Sequence, residues 1–375
     1  MGKVKKKIAL IFGVTGQDGS YLAELLLKKN YIIHSVKRRS SSANTERLDH
    51  IFDSLNFKNK NFFIHYGDVT DSSSTLNLLN KTKPDEIYNL AAQSHVRVSF
   101  DIPEYTANST AMGALRILES MRILGLKRTK YYQASSSEMF GKQQSNKSQN
   151  EKTAFHPMSI YGVSKVFAYH TSVYYREAFG IFASNGILFN HESPRRGPTF
   201  VTKKIVQALV RIKLKKQQCL TLGNLYAVRD WGHAKDYVKV MWMILQAAKA
   251  EDWVIATGRT TTIRDFVKMA FGHIGVELEF IGIGIEEVAK VLTCSNPDYQ
   301  LELGKEVLSI DKKYYRPTEV DLLIGDSTKA KKKLGWKPQI TLEELVEDMM
   351  SSDIKLFKRE IYLKEGGYNT LNYYE

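Results

Sequence analysis

Ile8-Ala9-Leu10-Ile11-Phe12-Gly13-Val14-Thr15-Gly16-Gln17-Asp18-Gly19 sets a short apolar run directly against glycines at positions 13, 16 and 19. The run has the length of a buried strand and is too short for a helix. Glycines in that position permit a tight turn. They also let backbone N–H groups approach a pyrophosphate at the start of the next helix, where the peptide dipole favours anions. The helix itself is legible in Tyr21–Lys29, where Tyr21, Leu22, Leu25 and Leu26 share one face. The Gly-x-x-Gly-x-x-Gly spacing is looser than the dinucleotide fingerprint of dehydrogenases, and alone it also suits an ordinary strand–helix turn. Its place between a first strand and a first helix gives it weight.

Outward from this stretch the pattern repeats. Candidate strands follow at Ile32–Val36, Phe62–His65, Glu86–Leu90, Lys130–Ala134 and Ala183–Phe189, with helix-period stretches between them. Strands alternating with helices imply an α/β fold: a Rossmann-type, doubly wound parallel sheet. Ser135–Thr153 is polar and reads as a loop. After about residue 190 the regularity breaks, αβ pieces recur at Tyr237–Ala250 and Trp253–Ala256, and Thr293–Asp311 is polar. The expected organisation is a dinucleotide-binding domain over 1–189, with segments near 225–256 returning to it, and a smaller α/β substrate domain over most of 190–375.

Composition narrows the class. The chain has 375 residues, 43% of them hydrophobic, which supports a large core and argues against disorder. The basic start followed by Ile8–Phe12 lacks a small-residue cleavage site, so it reads as a first strand rather than a leader. No apolar run reaches the roughly 18 residues of a membrane span. Cys219 and Cys294 are the only cysteines and the nine histidines show no ligand spacing, so neither a disulfide framework nor a metal site is expected. A reducing cytoplasm is the expected compartment. The formal charge of +14 is spread over separate clusters (Lys3–Lys7, Lys203–Lys216, Lys329–Lys333) with no nucleic-acid-binding signature, which reads as excess surface lysine.

The end of the second strand bears on the cofactor. An NAD site places an acidic residue there for the ribose hydroxyls. Here the chain reads Lys37-Arg38-Arg39-Ser40-Ser41-Ser42, with no carboxylate before Glu46. Guanidinium and hydroxyl groups suit a 2′-phosphate, so NADP is expected, against the bland alternative of a solvated basic loop. Asp68, after the third strand, is placed to accept from an adenine amino group, or merely makes a turn with Gly67.

Chemistry is signalled by Tyr161-Gly162-Val163-Ser164-Lys165, which puts a phenol and an ammonium four residues apart on one helix face. A nearby ammonium stabilises phenolate and lowers the tyrosine pKa toward a useful range. With 20 tyrosines in a lysine-rich chain such a pair arises by chance, so its weight comes from context. It stands some way after Ser135-Ser136-Ser137-Glu138, where a serine hydroxyl at a strand end could bond a substrate oxygen. The alternative for the serine run is a flexible polar loop.

Taken together, these motifs resemble the extended short-chain dehydrogenases/reductases, and specifically the GDP-mannose 4,6-dehydratase family. The matching segments are Gly13–Ser20, Lys37–Ser41, Tyr66–Asp71, Tyr88–Val96, Tyr132–Glu138, Tyr161–Lys165, Asn185–Gly197, Leu222–Asp236, Val254–Gly258, Tyr314–Val320 and Leu334–Pro338. They span nearly the whole chain, and Asn185–Gly197 and Arg229–Asp236 are the most specific.

The resemblance implies a redox-neutral dehydration of a nucleotide sugar. Tyr161 would take the C4 hydroxyl proton as the C4 hydride passes to NADP⁺, and Glu138 would then remove the acidified C5 proton. Water would leave C6, assisted by Ser136 or Glu138, before the hydride returns to C6. Lys165 completes the catalytic set. The implied cofactor ligands are Gly13, Thr15, Gly16, Gln17, Asp18, Gly19, Arg38, Asp68, Val69, Leu90, Ala91, Ala92, Gln93, Ser94, Tyr105, Lys165, His191 and Arg196. Ser94, Asn190, Arg229, Arg316 and Glu319 are the implied ligands of the sugar nucleotide, Glu319 reading the guanine edge. A homodimer or homotetramer is implied, with the Arg38-Arg39 loop near the interface.

Two departures from the family stand out. Ser136 replaces the usual threonine, and His156-Pro157-Met158-Ser159-Ile160 replaces a Tyr-Pro-Arg-Ser-Pro stretch. These favour GDP-D-glycero-D-manno-heptose slightly over GDP-D-mannose as the expected substrate. Two further readings stay open. A GDP-sugar epimerase or 4-dehydrogenase of the same fold is favoured by Ser136 and disfavoured by Glu138. A non-enzymatic dinucleotide-sensing or nucleic-acid-binding protein is disfavoured by the intact acid–base set.

Overall fold

The computed structural model describes residues 5–41, 44–53, 61–143, 147–297, 301–315 and 322–368. The chain divides into two compact units, the first comprising 1–191, 234–259 and 323–339 and the second 192–233, 260–322 and 340–375. The segment returning to the first unit thus begins at 234, and a further segment, 323–339, also returns. Nothing in the local pattern of 323–339 signals that return.

The first unit is built on seven strands: β1 (Ile8–Phe12), β2 (Ile32–Lys37), β3 (Phe62–Tyr66), β4 (Glu86–Asn89), β5 (Lys130–Ser136), β6 (Phe182–Leu188) and β7 (Asp252–Ile255). They form one sheet in the order β7-β6-β5-β4-β1-β2-β3, every neighbouring pair parallel. The order reverses between β1 and β4, the point where open α/β sheets bind ligands beyond the carboxyl ends of their strands. β1 shows why the run is apolar throughout. Ala9 and Ile11 join the core cluster on one face, Leu10 and Phe12 the cluster on the other, and all are essentially inaccessible. A parallel strand covered on both faces loses the alternation that a half-exposed strand keeps.

The longer helices of this unit are α1 (Gln17–Lys28), α2 (Ser72–Thr82), α3 (Gly113–Ile123), α4 (Ile160–Phe179) and α5 (Ala234–Gln246), and shorter ones, Thr328–Leu334 in the returning segment among them, accompany these. α1 begins four residues before the apolar face of Tyr21–Lys29 because Gln17, Asp18 and Gly19 form its polar first turn.

The serine run corrects the loop expected over Ser135–Thr153. Ser135 and Ser136 end β5, Ser137–Met139 is a 3₁₀ turn, and every residue from Ser135 to Phe140 is buried. Polarity here marks a strand end inside the fold, not exposure.

In the second unit, strands Val276–Ile281, Val288–Cys294 and Glu306–Ile310 pair antiparallel and Leu220–Leu222 joins the last of them in parallel. Helices Val201–Lys213, Ile263–His273 and Leu342–Glu365 share its apolar core. The last of them starts at a capping box between Thr341 and Glu344. Glu306–Ile310 lies inside the stretch read as polar, and one of its two pairings is supplied by the distant strand Leu220–Leu222.

Candidate active site

β1 delivers Gly13 to the switch point with φ +85°, a region closed to most side chains, and a Cβ there would lie 2.9 Å from the Leu90 carbonyl carbon. A Cβ on Gly19 would lie 2.3 Å from the Gly13 oxygen, so the helix docks on the strand only because that position is bare. Gly16 is the N-cap of α1 and makes no side-chain cap bond. A bare loop of this kind at a helix N-terminus could hold an anionic diphosphate. The Thr15 carbonyl accepts a bond from Arg47 Nη1 at 3.3 Å.

Gln17, Asp18 and His191 are brought together. Gln17 Nε2 donates to the His191 carbonyl (3.0 Å) and to Asp18 Oδ1 (3.1 Å). His191 Nδ1 donates to the Phe189 carbonyl at 2.8 Å, and its Nε2 lies 2.7 Å from Asp18 Oδ2, an ion pair when the ring is protonated. The ring stacks on Tyr237 with centroids 4.4 Å apart.

Beyond β2, Lys37, Arg38, Arg39, Ser40, Ser41, Asn44 and Tyr66 line a cavity of about 200 Å³, with no carboxylate among the described residues of its wall. Arg38 Nη1 donates to the Tyr105 hydroxyl at 2.7 Å, joining two residues expected at the cofactor. Asp68 Oδ1 accepts from the N–H and the hydroxyl of Thr70 at 2.9 and 2.8 Å, and Val69 beside it is buried. After β4, the Leu90 N–H donates to the Phe12 carbonyl (3.0 Å), which ties the Leu90-Ala91-Ala92 segment to the end of β1. Gln93 Oε1 accepts the His95 N–H at 2.7 Å, and Ser94 is exposed.

The four expected catalytic residues converge. Ser136 ends β5, and its Oγ accepts the Glu138 N–H at 3.2 Å, fixing the Glu138 backbone two residues past the serine. Tyr161 and Lys165 open α4, whose N-cap is Ser159, its Oγ accepting the Gly162 N–H at 3.0 Å. Gly162 lets this helix touch the Glu138 turn: a Cβ there would lie 2.8 Å from the Glu138 carbonyl oxygen. Lys165 Nζ donates to the Ala134 carbonyl at 2.6 Å and sits 5.7 Å from the centre of the Tyr161 ring. Burial pulls the Lys165 ammonium down to about 8, the charge of Asp18 opposing that fall. All four side chains are at least nine-tenths buried. The set can hold a sugar hydroxyl against a phenol, with a carboxylate close by.

The remaining expected residues fall elsewhere. Asn190 is half-buried beside His191. Arg196 and Arg229 belong to the second unit. Arg196 Nε lies 2.9 Å from Glu192 and its guanidinium 3.6 Å from the Phe200 ring centre, while Arg229 is buried with Nη1 on the Val228 carbonyl at 2.9 Å. Arg316 and Glu319 lie outside the described residues. Among the described residues no helix is long and apolar enough to cross a membrane, and no three metal-ligating side chains cluster.

Sequence reasoning missed the Ala134 carbonyl, the Asp18–His191 pair and the Gly162 contact. A backbone acceptor carries no sequence signal, and the pair joins residues 173 apart. Gly162 was open to reading as a close approach, since glycine inside a helix weakens it without such a reason.

Three comparisons bear on this geometry. The chain matches the family model described as GDP-mannose 4,6 dehydratase over residues 10–349. It is 52% identical over 366 residues to the GDP-mannose 4,6-dehydratase of Yersinia enterocolitica, covering 97% of this chain and 98% of that protein. It is 50% identical over 360 residues to the GDP-mannose 4,6 dehydratase of Homo sapiens, covering 96% and 94%. In fold it is similar to the UDP-glucose 4-epimerase of Thermotoga maritima, with a TM-score of 0.75 at 23% identity, covering 94% of this chain and 99% of that one.

Proposed function

The chain belongs to the GDP-mannose 4,6-dehydratase family, a family of hydro-lyases, and from that premise we propose that it converts a GDP-manno-configured sugar to its 4-keto-6-deoxy derivative and water, with NADP as cofactor. The observation that carries the reading is the buried convergence of Ser136, Glu138, Tyr161 and Lys165 at the carboxyl end of the sheet. A hydride-transfer site without elimination has no need of the carboxylate.

The bound dinucleotide supplies a hydride acceptor for C4 and later a hydride donor for C6. Everything else falls to the chain. Tyr161 takes the C4 hydroxyl proton, and the Lys165 ammonium stabilises the phenolate that makes this possible. The Ser136 hydroxyl bonds the C4 oxygen and orients it. Once C4 is a ketone, Glu138 takes the C5 proton and passes it to the hydroxyl leaving C6 as water, and as hydride reaches C6 a proton returns to C5, balancing the one that Tyr161 took from the C4 hydroxyl. Burial excludes water from these steps and strengthens each charge interaction.

For the cofactor, the bare glycine cradle suits the diphosphate and Asp68 suits the adenine amino group. The basic cavity around Arg38, with no carboxylate among its described residues, supports NADP over NAD. Asn190, Arg229, Arg316 and Glu319 are assigned to the GDP moiety by family likeness. As substrate we favour GDP-mannose, the sugar nucleotide named in the relatives. The lean toward the manno-heptose drawn from Ser136, Met158 and Ile160 gains no support from them. A homodimer or homotetramer remains the proposed assembly. It is supported by exposed apolar side chains along α4, namely Val163, Phe167 and Tyr174.

Incubating the protein with NADP⁺ and either GDP-mannose or GDP-manno-heptose, with product masses followed over time, tests the reading. Loss of one water, faster from the mannose, is expected. A faster loss from the heptose would reverse the choice of sugar, and a product of unchanged mass from both would point to epimerisation.

A further inference from the structure

Arg116 lies on α3, half-buried and outside the set of residues assigned above. Its Nη1 donates to the carbonyls of Val69 and Asn108, both at 3.2 Å, and its Nη2 donates to Asn108 Oδ1 at 2.8 Å. One guanidinium therefore joins the turn after β3 to the helical segment that leads into α3. Both ends of this tie carry residues of the adenosine side. Asp68 and Val69 stand on one, and Tyr105, bonded to Arg38, stands one turn before Asn108 on the other.

The helical end of the tie is unusual. Asn108–Met112 is a π-helical turn, a wider turn that occurs inside helices mostly at functional sites. The Asn108 carbonyl accepts the Gly113 N–H and takes the guanidinium as a second donor. Gly113 also presses on the opposite end, since a Cβ there would lie 3.0 Å from Val69 Cγ2. Val69 is thus held twice, by its carbonyl and by its side chain. A planar fork suits this geometry, and a lysine point charge reaches only part of it.

We propose that Arg116 is a positioning residue for the adenosine half of the dinucleotide, holding the Asp68-Val69 turn and the Tyr105 segment in binding register. The proposal rests on the cofactor reading above. Adenosine is common to NAD and NADP, so Arg116 governs affinity for both equally, whereas Arg38 governs the choice between them.

Equilibrium binding of NADP⁺, NAD⁺ and 2′,5′-ADP to wild type, Arg116→Met and Arg116→Lys tests it, with Tm and kcat at saturating NADP⁺ measured alongside. Losing charged hydrogen bonds is expected to weaken NADP⁺ and NAD⁺ in Arg116→Met by a common factor of about ten to a hundred. Arg116→Lys should lose less, and kcat at saturation should stay within about twofold of wild type. Wild-type affinity in Arg116→Met overturns the proposal whether or not Tm falls, and so does a loss confined to NADP⁺. Should Arg116→Met fail to fold, unchanged affinities in Arg116→Lys overturn it equally. A wild-type protein that binds neither dinucleotide refutes the cofactor reading first and is recognised before any variant is compared.

Discussion

Lys165 shows how one buried charge sets a working range. Burial lowers its pKa to about 8, so its ammonium is intact below that pH and lost above it. The phenolate of Tyr161 loses its support as the pH rises, and kcat is expected to fall through a limb near pH 8. In Lys165→Arg the guanidinium stays charged, so pH–rate profiles should show that limb displaced upward. A limb unmoved in Lys165→Arg would assign it to another group. Tyr161→Phe and Glu138→Gln should each lower kcat by about 10²- to 10⁴-fold with dinucleotide affinity near wild type, readable by steady-state kinetics beside equilibrium binding. At this scale the sequence was informative wherever chemistry resides in side chains. The Tyr161–Lys165 spacing and the neighbouring Glu138 were visible, but the Ala134 carbonyl that anchors Lys165 was not.

Among the elements, the contact between α4 and the Glu138 turn is the most demanding. Gly162→Ala puts a methyl 2.8 Å from the Glu138 carbonyl oxygen, so the turn or the helix must move. Because a small misplacement of reacting groups is costly, kcat should drop by about 10²-fold while NADP⁺ affinity holds, and kinetics with binding data check both. At the other side of the sheet, His34 on β2 and His65 on β3 meet at 2.8 Å. Burial, then His65, then Lys81 pull the His34 pKa down to about 4. The unfolded chain therefore binds a proton that the folded one refuses between pH 6.5 and 4. Stability should decline as pH falls through that window, by about 1–2 kcal/mol after solvent screening. Urea titrations of wild type and His34→Gln should differ in that slope. The six strands before residue 190 were legible to within about two residues, because buried apolar runs end at turn residues. The serine run was misread because its polar side chains serve the site rather than solvent.

On the scale of the whole molecule, the first unit follows from repetition of a local pattern, whereas the second depends on distant pairing. Leu220–Leu222 pairs with Glu306–Ile310, a partner that no window of sequence contains. The return of 323–339 to the first unit was hidden for the same reason, although Trp336 is buried in that core and donates to the Asp236 carbonyl at 3.1 Å. The proposed function is a single redox-neutral reaction, since the hydride removed at C4 must come back at C6. GDP-mannose deuterated at C4, incubated with the protein and catalytic NADP⁺ and analysed by mass spectrometry and NMR, tests this most directly. The expected product has lost one water and carries the deuterium at C6, with no net reduced dinucleotide. Deuterium back at C4 with no water lost, or reduced dinucleotide accumulating with the label, would contradict a 4,6-dehydratase.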